Sequence, residues 1–128
     1  MVDLTWVGEK KNKLRRAGTH LARVFRRHPR IIVSMTSYPA RINTVHFAIR
    51  TLLAQKRLPD KIILWLCESD FPNREDDLPE SLKDVLWHDV EVRWVNNDLK
   101  PHKKYYWALQ EFKDDYVITT DDDLLYRN

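Results

Sequence analysis

Four short apolar runs punctuate the chain: "IIVSM" at 31–35, "KIILWL" at 61–66, "VEVRWV" at 90–95 and "YVITT" at 116–120. The first, second and fourth are rich in β-branched residues and predict buried strands; the third alternates, as a half-exposed strand does. Helical spacing fills the gaps. Ile42, Val45, Ile49, Leu52 and Leu53 make one face, running to about Lys56. Pro79 with Glu80 opens a short helix through about Trp87. The stretch from 96 to 115 holds a third helix, with Tyr105, Leu109 and Phe112 inward. Strands alternating with helices predict an α/β domain, with a mostly parallel sheet, right-handed crossovers and flanking helices.

In such a sheet, ligands bind beyond the carboxyl ends of the strands, where strand order reverses. Two loops stand there: "TSYPAR" at 36–41, after strand one, and "DDD" at 121–123, after strand four. Three adjacent carboxylates repel one another, and a hard divalent cation removes that cost. Alternate residues of an extended segment share a side, so Asp121 and Asp123 can act on one Mn²⁺ or Mg²⁺ while Asp122 faces elsewhere. The bland alternative is a solvated acidic turn that caps a following helix. Lys103 and Lys104 begin the third helix at the same end of the sheet. They are candidates for contact with a diphosphate or the acidic cluster, or else are solvated stems.

Composition narrows the options. The 128 residues suffice for one domain with a core. Residues 19–128 contain no glycine, which excludes a P-loop and a GxGxxG fingerprint, so side chains or a metal must hold any phosphates. The net charge of +3 is uneven. Residues 1–30 carry nine Lys and Arg against Asp3 and Glu9, while residues 31–128 are mildly acidic. That argues against a nucleic-acid partner. The chain thus divides into a basic arm (1–30) and a domain (31–128). In the arm, Leu14, Ala17, Leu21, Val24 and Phe25 recur at helical spacing among basic residues. This predicts a helix, either lying on an anionic membrane surface or leaning its narrow stripe on the domain. The start "MVDLTWVGEK" lacks the apolar core of a secretory signal, and Cys67 is the only cysteine, which together suggest a cytoplasmic setting. The five histidines show no metal-ligand spacing, and Cys67 is expected to be a small buried residue.

Taken in order, "IIVSMTSYPARI", "AIRTLLAQKRLPDKIILWL" and "VITTDDDLLY" resemble the Rossmann-like nucleotide-binding half of GT-A fold glycosyltransferases, of the family-2-like group that builds bacterial glycans. The resemblance spans Ile31 to Asn128. It implies transfer of a sugar from a nucleoside-diphosphate donor, UDP-linked by preference, to a glycan or lipid-linked acceptor at the cytoplasmic face of a membrane. It implies that Thr36, Ser37 and Tyr38 border the nucleobase and ribose, with Arg41 where that loop enters the helix. Asp121 and Asp122 match carboxylates that contact the ribose or the metal's waters, and Asp123 matches the ligand of Mn²⁺ or Mg²⁺. After strand two, Glu68 and Asp70 compete for the acidic contact to the base. The family's catalytic base and acceptor site lie in a second half that this chain does not show, so a truncated chain is expected and no catalytic residue is assigned. Two rival readings are a non-catalytic sugar-nucleotide or metal-binding fragment and a haloacid-dehalogenase-type phosphatase. The latter needs a small hydroxyl residue four positions past its first Asp, where this chain has Leu125.

Overall fold

The computed structural model describes residues 28–87, 89–96 and 102–128, and for Lys103 only the backbone. The arm, apart from 28–30, lies outside the described residues, as do both readings of its helix and the Lys103 side chain. Four strands form one sheet: β1 (Ile31–Thr36), β2 (Lys61–Cys67), β3 (Val90–Val95) and β4 (Tyr116–Thr119). Their spatial order is β3-β2-β1-β4, and every pairing is parallel. Helices α1 (Val45–Leu53), α2 (Glu80–Lys83) and α3 (Lys103–Glu111) occupy the connections. The expected α/β architecture is therefore present. The chain steps outward from β1 to β3, then returns past β1 to β4, so the order reverses between β1 and β4.

The two faces of the sheet have separate cores. On one, Val33, Met35, Ile62 and Leu64 meet Val45, Ile49 and Leu52 of α1 and Leu82 of α2. On the other, Ile32, Ile63, Trp65 and Val95 meet Ala108 and Phe112 of α3. Strand alternation explains the division, since successive residues point to opposite faces. Burying each of these aliphatic side chains contributes on the order of 1.5–3 kcal/mol. A buried polar link joins the layers: the Trp65 indole N–H donates to Ser34 Oγ at 2.9 Å, and the Ser34 hydroxyl donates to the Lys104 carbonyl. Cys67 is a free, buried thiol. Among the described residues, no helix is long and apolar enough to cross a membrane.

Several details differ from the sequence pattern. Helix α1 begins at Val45 rather than near Ile42, because the Arg41 carbonyl accepts from the amides of both Thr44 and Val45 and holds the entry in turns. Helix α2 ends at Lys83 rather than near Trp87. There the amides of Val85 and Leu86 bond three residues back, which tightens the last turn. In α3, Phe112 is inward as expected, but Tyr105 and Leu109 are exposed and Ala108 takes the inward place. An alanine lets the helix backbone approach the sheet, with Trp107 flanking the contact. Strand β4 is not buried: it is an edge strand outside the cover of α1, and Tyr116 and Ile118 are 65% and 48% exposed.

The start of β4 is clamped to the start of β1. Tyr116 donates its amide to the Arg30 carbonyl, and Arg30 returns its own amide and a two-pronged guanidinium to Asp115. Burial would push the Asp115 carboxyl up, but the Arg30 hydrogen bonds outweigh it and hold it below the usual carboxylate range. A depressed carboxyl stabilises the fold above its unfolded pKa and loses that contribution as pH falls through the folded one. Asp115→Ala is therefore expected to cost about 1–2 kcal/mol at neutral pH, allowing for solvent screening of the half-exposed Arg30. Urea unfolding at a series of pH values should show the gap to the unsubstituted protein closing below about pH 4. A gap independent of pH would contradict the clamp.

Candidate functional site

Both loops singled out from the sequence lie at the reversal between β1 and β4, and the structure joins them. Ser37, 2% exposed, leaves β1 on the α1 side and donates its hydroxyl to Asp122 Oδ2 at 2.7 Å. Arg41 reaches the same carboxylate from the turn before α1, with Nη1 2.9 Å from Asp122 Oδ1. The same nitrogen lies 2.9 Å from Asp123 Oδ2. Asp122 thus has both oxygens occupied and is buried. The Asp122 bond is the chief reason the Arg41 guanidinium is held above its ordinary pKa, with Asp123 adding to it.

Asp121 is served from the opposite face of the sheet. Lys104, in the first turn of α3, places Nζ 2.7 Å from Asp121 Oδ1. Its position follows from the Ser34 bond to the Lys104 carbonyl, which fixes the start of α3 on β1. Tyr126 closes the loop from the far side: its hydroxyl accepts the Asp121 amide at 2.8 Å, while its own amide donates to Thr51 Oγ1 and its carbonyl accepts from Gln55. The three carboxylates therefore meet two cations and a serine hydroxyl, while the Tyr126 hydroxyl holds the Asp121 backbone. Most of the expected repulsion is relieved within the chain, leaving one surplus negative charge.

The remaining predicted residues divide. Tyr38 is 45% exposed, and the Arg41 guanidinium carbon stands 5.5 Å above its ring. That stack keeps one aromatic face beside the acidic loop. Thr36 turns into the sheet instead, donating to the Trp65 carbonyl at 3.0 Å. After β2, Glu68 pairs with Arg74, while Asp70 is half-buried in the turn that follows. Neither is tied to the Asp122 group by a hydrogen bond or ion pair among the described residues. Sequence reasoning missed Tyr126, since a lone tyrosine five residues past Asp121 carries no recognisable signal. It also missed Thr120, whose hydroxyl is buried with no hydrogen-bond partner among the described residues. A buried hydroxyl left unpaired is costly, and its place directly before Asp121 is chemically informative.

As a cation site the loop is half-complete. The side chains of Asp121 and Asp123 are 55% and 50% exposed, whereas that of Asp122 is 8% exposed and sealed by its partners. Among the described residues, no group of three or more His, Cys, Asp or Glu side chains is gathered that could hold a metal ion. Asp121 and Asp123 fit Mn²⁺ or Mg²⁺ only as a pair of carboxylates, the other ligands coming from water or a bound phosphate. No protein-family model matches the chain, and no curated protein matches it significantly.

The burial difference makes the aspartates separable. Asp122→Ala leaves the Ser37 hydroxyl and the Arg41 guanidinium without their acceptor and is expected to destabilise the fold by about 1–3 kcal/mol. Asp123→Ala, at a half-exposed pair, should stay within about 0.5 kcal/mol. Thermal unfolding of both variants checks this, and equal losses would show that Asp122 does not hold the loops together.

Proposed function

We propose that this chain is the donor-binding part of a glycosyltransferase, taking a nucleoside-diphosphate sugar, UDP-linked by preference, with a glycan or lipid-linked acceptor. The observation that carries this reading is the union of two ligand-facing loops at the strand-order reversal through Ser37, Arg41 and Asp122. Parallel sheets bind ligands at that point. The site offers an exposed aromatic in Tyr38, two cations in Arg41 and Lys104, and an unpaired buried hydroxyl in Thr120. Such a set suits a base, a diphosphate and a sugar or ribose hydroxyl.

In this reading Arg41 and Lys104 exchange partners. Each now neutralises a half-exposed aspartate, and each can turn to a diphosphate while Asp121 and Asp123 take Mn²⁺ or Mg²⁺. Bound there, the metal would supply charge neutralisation for the departing nucleoside diphosphate. Asp122 stays on Ser37 and keeps the loops in register. Tyr38 stacks on the base. The work is cytoplasmic, beside the membrane that carries lipid-linked acceptors.

A non-catalytic nucleotide-binding role is the second reading, favoured by one observation: each aspartate of the loop is already paired, so none stands free as a base. The phosphatase reading receives no such support, since Leu125 is an exposed leucine where that chemistry needs a hydroxyl. Titration calorimetry with UDP decides whether the site binds nucleotide. Binding should require Mn²⁺, be abolished by Asp123→Ala and fall at least about tenfold in Tyr38→Ala with little change in melting temperature. Equal affinity with Mn²⁺ and with a chelator would contradict the metal-assisted reading. Sugar transfer separates the enzyme from the binding module.

A further inference from the structure

Thr120 extends the β4 ladder by one place: its amide donates to the Ser34 carbonyl at 3.0 Å. Side chains alternate along this extended stretch. Val117 packs toward α3 and Asp121 meets Lys104 of α3, which puts Thr120 and Asp122 together on the α1 side. Asp122 meets Ser37 and Arg41 there. Thr120 and Asp122 are 8% and 7% exposed. Yet Thr120 Oγ1 has no hydrogen-bond partner among the described residues, and it is the one such buried side-chain atom in either of the two loops.

A buried hydroxyl beside a buried carboxylate would ordinarily donate to it, since hydrogen bonds to a charge are the stronger kind. Here the carboxylate is already held, Oδ2 by Ser37 and Oδ1 by Arg41. The two donors differ in how firmly they are kept. Ser37 is almost fully buried at the end of β1. The Arg41 side chain is 40% exposed, is shared with half-exposed Asp123 and lies over the outer ring of Tyr38. Arg41 is therefore the donor that can leave. If nothing took its place, Asp122 would keep a single hydrogen bond in a buried setting, which is costly for a charge.

We infer that Thr120 is a positioning residue, the reserve donor of Asp122: when Arg41 turns away to an anionic ligand, the Thr120 hydroxyl swings onto the freed carboxylate oxygen. Asp122 then keeps two donors, the loops after β1 and β4 stay joined, and Arg41 leaves without stranding a buried charge. A hydroxyl has one proton to donate and two lone pairs, so Thr120 can hold Asp122 and still accept from a ligand hydroxyl. The departure of Arg41 to a diphosphate rests on the donor-binding reading; the exchange of partners on Asp122 does not.

A ligand-free double-mutant cycle in the full chain tests the exchange, so its failure and a failure to bind UDP are separate results. Thr120→Val keeps the shape and removes the hydroxyl. With Arg41 present, this change should leave the melting temperature unaltered or raise it, because an unpaired buried hydroxyl is lost. In an Arg41→Met background, where the cation is gone, the same change should lower the melting temperature by at least about 4 °C. Thr120→Ser, which keeps the hydroxyl, should have the same effect in both backgrounds. If Arg41→Met is only marginally folded, sucrose added to every protein alike restores the comparison. An equal effect of Thr120→Val in the two backgrounds, or a Thr120→Ser loss that grows in Arg41→Met as much as the valine loss does, would overturn the inference.

Discussion

The carboxylate of Asp122 is the contact on which the arrangement at the carboxyl end of the sheet depends. It is buried, accepts from Ser37 and Arg41, and connects residues more than eighty positions apart. A buried charge is tolerated only when paired and hydrogen-bonded, and here both oxygens are satisfied. The consequence is geometric. With Asp122 drawn inward, its neighbours on either side are left half-exposed, one meeting Lys104 from α3 and the other meeting Arg41 beside α1. One residue thus serves structure and leaves its two neighbours accessible at the surface.

The sheet order makes this possible. Because β4 returns to lie beside β1, the loops that follow them are neighbours although they belong to opposite ends of the domain. The Arg30–Asp115 clamp sets the register at the other end of the same strand pair. Between clamp and lock, β4 needs no deep core of its own. That accounts for an edge strand so exposed being held in place.

The strands were readable from the sequence because short β-branched runs bounded by polar turns admit few alternatives. The positions of both loops followed from strand alternation with helices. The inward face of α3 was not readable, because its residues satisfy helical spacing on more than one face. Tyr105 and Leu109 are larger and more apolar than Ala108, yet close approach to Ile32 and Ile63 favours the small side chain. Burial of β4 was misread for a similar reason: an apolar run cannot reveal that a helix covers only one of its faces, the one carrying Val117. The aspartate triplet marked the loop that the structure joins to the one after β1, and alternation already set Asp122 apart. What stayed hidden was the long-range pairing, since nothing local to Ser37 or Arg41 marks Asp122 as their partner.

The proposed function requires the paired acidic loop to open to a diphosphate. A crystal structure of the full chain with UDP and Mn²⁺ tests it most directly. The expected result has the base against Tyr38, Arg41 and Lys104 turned from Asp123 and Asp121 to the diphosphate, the metal on those two carboxylates, and Asp122 still held by Ser37. Nucleotide bound away from the β1–β4 junction, or Asp122 released from Ser37 to ligate the metal, would contradict it.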